Sequence, residues 1–159
     1  MGGGVTTQVI RSRRGMALAF LMLVSLLWSG IATDHARAGA AEERRSEMLQ
    51  LTNEDRAAKD RDDLKLDKRM SRYATKHARA MADAGYLYHS EDLAGVLDGV
   101  EWSMGGENVG VSSSLDELET AFMASKPHRR NILQKGYDHV ALGVVKSDGN
   151  LWVTVIFYG

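Results

Sequence analysis

Residues 139–157 read HVALGVVKSDGNLWVTVIF, and this stretch decides the fold. Its two halves, His139 to Lys146 and Leu151 to Phe157, are rich in β-branched and apolar residues, which favours β-strands. The polar segment 147–150 between them contains Asp148-Gly149, a dipeptide typical of tight hairpin turns. We therefore predict an antiparallel hairpin as the last element of the chain.

Two helices are predicted well before this hairpin. Residues 42–59 are good helix formers with a narrow apolar stripe. A charge-dense connector, 60–68, leads to the second helix, in which apolar residues recur at helical spacing. We expect Asp67 to cap the start of this helix and Gly85 to end it.

The middle of the chain has weaker signals. Residues 86–106 are predicted to form a loop with a helical turn, and residues 107–111 a short strand. Ser114 and Glu117 form a capping box that opens a third helix, and Pro127 breaks that helix and can begin another turn. Helices thus come early and strands late, which predicts an α+β layered domain.

The composition excludes several classes of protein. The chain has 159 residues, with 20 basic and 21 acidic side chains and no cysteine. This length suits one domain. The balanced charge argues against nucleic acid as an obligatory partner, since such binding needs an excess of basic side chains. Without cysteine the chain can have no disulfide framework, no thiolate nucleophile and no zinc finger.

The N-terminal region has the pattern of a secretory signal peptide. Three arginines within residues 11–14 precede the uncharged stretch 15–33, and Ala36-Arg37-Ala38 has the small-x-small pattern of a cleavage site. We predict a signal peptide over residues 1–38, cut after Ala38 or, as a second choice, after Ala41. The alternative is an uncleaved anchor, but the apolar core is shorter than the roughly 20 residues that a spanning helix needs. We expect a secreted or cell-envelope protein that meets a membrane only through an uncleaved leader.

Histidine is the main side chain here that can do chemistry near neutral pH. His77 lies on the apolar stripe of its helix, so we interpret it as a core residue, and His139 as a surface or edge residue. His89 and His128 lie in an irregular segment or at a helix start, where binding groups concentrate. Glu107 follows a glycine pair that can hold its carboxylate in place. Two imidazoles and a carboxylate suit zinc or another divalent metal, although three unrelated polar residues remain the alternative.

Two other sites have less support from the sequence. Ser90 and Ser125 have histidines nearby, but neither lies in a nucleophile-elbow pattern, so a serine hydrolase is not indicated. Arg129 and Arg130, next to His128, could attract an anion, or they could simply be solvated.

The order of the motifs resembles the CAP superfamily of cysteine-rich secretory proteins, antigen 5 and plant pathogenesis-related proteins, and in particular its bacterial SCP-domain branch. The resemblance covers residues 46–159 and leaves 39–45 as a short N-terminal segment. The motifs that carry it are Asn53-Glu54-Asp55-Arg56, Tyr88-His89, Gly106-Glu107-Asn108 and the run SKPHRRNIL over residues 125–133.

The resemblance implies an α-β-α sandwich with a central antiparallel sheet flanked by helices, and a shallow cavity lined by His89, Glu107 and His128. In eukaryotic members such a group binds a divalent cation, so zinc or magnesium is the cofactor to test and these three residues are its candidate ligands. The second cavity glutamate of those members falls at Ser125, which reduces a tetrad to a triad. The residues expected to support the cavity are Asn108, Asn131, Ser125 and Tyr88.

The resemblance and the residues together leave three interpretations open. The first is an exported, non-catalytic binding module whose cavity holds a small apolar ligand, an envelope component or a protein partner. The second is a metal-assisted hydrolase that acts on peptides or envelope polymers. In the third, Glu107 is structural and fixes the cavity wall through backbone hydrogen bonds. We expect a monomer with no catalytic residue and no nucleic-acid partner.

Overall fold

The computed structural model describes residues 16–159, with side-chain environments from residue 35 onward. The elements in chain order are α1 (Met16–Ala57), β1 (Lys65–Leu66), α2 (Met70–Ala84), α3 (Leu93–Val96), β2 (Gly105–Ser112), α4 (Leu115–Ala124), α5 (Lys126–Ile132), β3 (His139–Ser147) and β4 (Asn150–Tyr158).

The chain divides into two compact units, residues 1–39 and residues 40–159. Helix α1 begins at Met16, so the prediction of a first helix starting at residue 42 is wrong at its N-terminal end. The predicted basic start of the signal peptide, residues 1–15, lies outside the described residues, and cleavage stays a prediction. Among the described residues, no helix combines the length and apolarity needed to cross a bilayer.

The second unit is built on a four-stranded sheet with the order β1-β3-β4-β2. The predicted hairpin is confirmed: β3 and β4 are antiparallel, and Ser147 pairs with Asn150 across a two-residue turn. Asp148 and Gly149 have φ angles of 49° and 81°, and two successive positive values define the turn type that matches strand twist. Strand β2 is antiparallel to β4. Strand β1, which the sequence analysis missed, lies in the predicted connector and pairs parallel to β3.

Both faces of the central strands are buried, as an α-β-α sandwich requires. Val140 and Leu142 of β3 belong to the core that contains Phe122 of α4. The alternate residue Ala141 packs in a second core with Ala74 of α2. Side chains alternate between the two faces of a strand, so each face is covered by a different helical layer. The predicted fold class, α+β with a central sheet between helices, is confirmed, except that β1 adds a parallel edge.

The helix boundaries follow their predicted signals. The carboxylate of Asp67 accepts hydrogen bonds from the backbone N–H groups of Arg69 (2.7 Å) and Met70 (2.9 Å). Gly85 ends α2 with a φ of 75°, a conformation that favours glycine. The Ser114 hydroxyl accepts a hydrogen bond from the N–H of Glu117 at 3.3 Å, and this contact caps α4.

Glu119 of α4 is an anomaly in the core. It is 3% exposed, and within the described residues neither of its carboxylate oxygens has a hydrogen-bond partner. Burial, followed by the nearby Asp55 carboxylate, raises the pKa of Glu119 to about 7. The nearby Thr52 hydroxyl of α1 acts in the opposite direction and lowers the pKa of Glu119, but it forms no hydrogen bond of normal geometry with the carboxylate. Burial therefore prevails, and the environment of Glu119 disfavours its charged form.

Candidate functional site

The carboxylate of Glu107 is the centre of the candidate site. Glu107 lies on the edge strand β2 opposite Ile156, so its side chain faces the layer formed by α2. Its side chain is only 4% exposed. Three donors from the segment after α2 satisfy it: Nδ1 of His89 at 2.7 Å and the Ser90 N–H at 2.9 Å on Oε2, and the Ser90 hydroxyl at 2.7 Å on Oε1. The carboxylate is therefore anchored before any ligand arrives.

His89 is the exposed member of this pair. Its side chain is 60% exposed, whereas that of its partner Glu107 is buried. Because a carboxylate accepts hydrogen bonds, the proton of neutral His89 lies on Nδ1, which leaves Nε2 as an acceptor. The structure thus presents a histidine ring whose orientation and tautomer are fixed by Glu107.

His77 also reaches the site, although its position on the apolar stripe of α2 predicts only a core residue. It is buried, as predicted, but its Nε2 lies 4.0 Å from Oε1 of Glu107. The same nitrogen lies 2.9 Å from the carbonyl oxygen of Tyr88, so it carries the proton and donates it to that carbonyl. The Tyr88 ring packs edge-on against His77, with ring centroids 5.0 Å apart. Tyr88 therefore supports the site through its backbone and its ring.

His128 approaches the site from the other helical layer. It lies in α5, whose residue Ile132 packs in the core on the α4 side of the sheet. Its ring centroid is 5.0 Å from that of Phe122. Burial lowers the pKa of His128, and the electrostatic effect of His89 lowers it further. Both effects favour the neutral form of the His128 ring.

Two asparagine side chains attach α5 to the edge strand. Asn108 is fully buried and donates to the carbonyl oxygen of His128 at 3.1 Å. Asn131 donates to Oδ1 of Asn108 at 2.9 Å and to the carbonyl oxygen of Glu107 at 3.2 Å. These bonds fix the position of His128 relative to Glu107. Ser125 joins α4 to α5. Its N–H donates to the carbonyl oxygen of Ala121, and its own carbonyl oxygen accepts a hydrogen bond from the N–H of Arg129, so Ser125 contributes through its backbone.

The residues present do not fit a three-ligand metal centre. Both oxygens of Glu107 already accept hydrogen bonds, and Nδ1 of His89 is directed at Glu107. Over residues that the structure describes, no three histidine, cysteine, aspartate or glutamate side chains are grouped as ligands of one ion. Zinc sites in proteins use three or four protein ligands. The arrangement instead provides two imidazole rings, those of His89 and His128, and Glu107 orients the ring of His89.

The sequence presents Ser90 only as a candidate nucleophile, and it predicts neither the hydrogen bonds of Ser90 to Glu107 nor the proximity of His77 to Glu107. Ser90 directly follows His89, and a hydroxyl next to a candidate ligand was a usable signal. His77 gave no such signal, because the helical period places it among core residues and only the packing of β2 against α2 brings it near Glu107.

Known proteins share this fold and sequence pattern. The profile of the Cysteine-rich secretory protein family (CAP) matches residues 49–157. Uncharacterized protein YkwD of Bacillus subtilis (strain 168) is 30% identical over 112 residues, which are 66% of this chain and 43% of that protein. The crystal structure of an extracellular SCP-domain protein from Bacillus anthracis str. Ames has a TM-score of 0.66 at 23% identity and covers 74% of this chain and 41% of its own.

A solved structure with zinc has the same fold. The crystal structure described as NaASP2 with Zn2+ has a TM-score of 0.53 at 15% identity, and the match covers 74% of this chain and 80% of that chain. The match spans less than half the length of both Bacillus relatives.

Proposed function

Because the chain belongs to the cysteine-rich secretory protein (CAP) family, we propose that it is an exported, non-catalytic binding module that recognises its ligand through the exposed imidazole of His89. One observation carries this proposal: an exposed His89 ring anchored at 2.7 Å on the buried carboxylate of Glu107. A ring that is fixed before binding loses little conformational freedom when a ligand arrives.

The chemistry of the site favours binding over reaction. The Ser90 hydroxyl donates to Glu107, so it is not in the arrangement of a serine activated by histidine. Among the described residues no hydrogen bond occupies His89 Nε2, so this atom can accept one from a ligand hydroxyl or amide. Two and three positions before His89, Leu87 and Tyr86 are exposed apolar side chains, 42% and 63% accessible. This combination suits an amphipathic ligand of the cell envelope or a protein partner with an apolar patch and a polar group.

Export rests on the signal-peptide pattern of residues 1–38 and on the extracellular setting of the B. anthracis relative. A domain without cysteine must rely on its core for stability outside the cell, and the two-sided burial of the sheet provides that core.

A ligand-capture experiment tests the proposal. The full chain and its His89→Ala variant are incubated with a bacterial envelope extract, repurified, and examined by mass spectrometry for retained molecules. His139→Ala is the matched control, because His139 is also a partly exposed histidine bonded at 2.7 Å to an acid, Asp138. A molecule retained by the wild type and the control but lost from His89→Ala is expected. Equal retention by all three proteins would contradict the role of His89.

The metal-assisted hydrolase is the competing interpretation, with zinc or magnesium as its ion. It requires Glu107 to become a metal ligand although its buried carboxylate already accepts three hydrogen bonds from His89 and Ser90. Hydrolysis of envelope peptides by the metal-loaded wild type, abolished in Glu107→Gln, would favour that interpretation over ours.

A further inference from the structure

A basic groove lies along α5. It is lined by Lys126, Arg129, Arg130, Leu133 and Gln134, and its volume is about 290 Å³. These positions follow the spacing i, i+3, i+4, i+7 and i+8, so they share one side of the helix and of the turn after it. We call this surface the α5 groove. It includes none of the residues assigned to the candidate site.

The α5 groove is positive although the domain is acidic. Residues 40–159 contain 16 basic and 20 acidic side chains, a net charge of −4, whereas segment 126–135 contains four basic side chains and no acidic one. Over the part of the chain that the structure describes, none of these four cations forms an ion pair with a carboxylate. The positive charge is therefore uncompensated and attracts anions.

The cations of the groove differ in how firmly they are held. Arg129 is half-buried, and its Nη1 donates to the carbonyl oxygen of Met123 at 2.6 Å, which leaves its other guanidinium N–H groups available. Lys126 and Arg130 are exposed. Arg61 donates to the carbonyl oxygen of Leu133 at 2.9 Å and adds a cation at the border of the groove. One guanidinium is thus positioned in advance, and two exposed cations lie beside it.

This geometry indicates the class of ligand. Planar guanidinium groups match the oxygens of phosphate groups and can bind them through two parallel hydrogen bonds. The groove is shallow and open, and its one apolar lining residue, Leu133, is half-buried, so it offers no projecting apolar side chain to insert into a bilayer. We propose that the α5 groove binds a linear polyol-phosphate polymer through Lys126, Arg129 and Arg130, rather than a nucleic acid, whose dense charge would also meet the acidic remainder of the domain.

The test compares two double variants of the full chain. Lys126→Gln/Arg130→Gln removes two exposed cations of the groove, and Arg72→Gln/Lys76→Gln removes two exposed cations with the same i, i+4 spacing from α2. Both variants change the net charge equally. The probe is a synthetic poly(glycerol phosphate) oligomer, and its binding is measured by fluorescence anisotropy over a range of salt concentrations. Poly-L-glutamate and phosphatidylglycerol vesicles are measured alongside.

We expect the wild type and the α2 variant to bind the oligomer alike and the groove variant to bind it at least several-fold more weakly. The slope of log affinity against log salt falls by roughly 1 to 2 in the groove variant, because two phosphate contacts are lost. Equal weakening of both variants would overturn the proposal, as would an oligomer that does not bind. Poly-L-glutamate bound as tightly as the oligomer would overturn the phosphate assignment, and binding to vesicles without binding to the oligomer would indicate a membrane instead.

Discussion

Nδ1 of His89 lies 2.7 Å from Oε2 of Glu107, and the two residues are 18 positions apart in the chain. The pair joins an exposed segment after α2 to the edge strand β2. Its asymmetry matters, because the acid is buried and the base is exposed. Glu107 thereby orients the exposed ring of His89.

Replacement of Glu107 by glutamine should destabilise the domain. A glutamine side chain has one acceptor oxygen and an NH₂ group, so at least one of the donors from His89 and Ser90 is left without a partner. We expect the free energy of unfolding to fall by about 1–3 kcal/mol, measured by urea denaturation. Glu117→Gln is the control, since Glu117 accepts hydrogen bonds from Ser112 and Ser113 at the exposed surface. An equal effect of both substitutions would show that burial of Glu107 is unimportant.

Glu119 predicts how stability depends on pH. Its pKa is raised from 4.5 to about 7 in the folded protein, so between these values the folded state binds a proton that the unfolded state releases. The stabilisation is therefore fully present below about pH 4.5 and is lost as the pH rises to about 7, by roughly 1.4 kcal/mol per pH unit at most. In Glu119→Gln this dependence should vanish. Parallel pH profiles of unfolding free energy in the two proteins would contradict the prediction.

The asparagine pair predicts a coupled change at His128. Asn131→Ala removes the bonds to Asn108 and to the Glu107 carbonyl, so α5 is held less firmly against β2. Because burial is the main cause that lowers the pKa of His128, we expect that pKa to rise toward 6.5 in the variant. NMR titration of the His128 ring protons measures it. Gln50→Ala, a change on the exposed side of α1, should leave the titration as it is in the wild type.

Zinc titration distinguishes a Glu107 that orients His89 from a Glu107 that binds a metal ion. Two imidazoles fall short of a zinc site, so we expect calorimetry to show no one-to-one binding with Kd below about 1 μM. The His139→Ala variant is the control for zinc that binds to histidines at the surface. Submicromolar binding that is lost alike in His89→Ala, His128→Ala and Glu107→Gln would instead establish the three-ligand centre.

Much of the fold could be predicted because its signals are local. The hairpin turn at Asp148-Gly149, the Asp67 cap and the Gly85 stop each depend on neighbouring residues, and each prediction is confirmed. Strand β1 is only two residues long and is defined by its pairing with β3, so no local sequence pattern predicts it.

The candidate site was predictable in part, and for a different reason. The sequence groups His89 and Glu107 through the chemistry of their side chains and the resemblance of their motifs, since a separation of 18 residues carries no helical or strand period. The bonds from Ser90 and the approach of His77 depend on how α2 and the segment after it pack on β2. Such contacts are set by tertiary structure, and a periodic pattern in one helix cannot reveal them.

The strand order has a consequence for how the domain matures. Strand β2, which carries Glu107, has β4 as its partner in the sheet, and β4 begins 38 residues after β2 ends. During synthesis from the N-terminus, Glu107 is therefore present in the growing chain well before the strand that pairs with β2. The edge strand that carries Glu107 can join the sheet only after residues 150–158 have been made, so the geometry around this carboxylate is completed last.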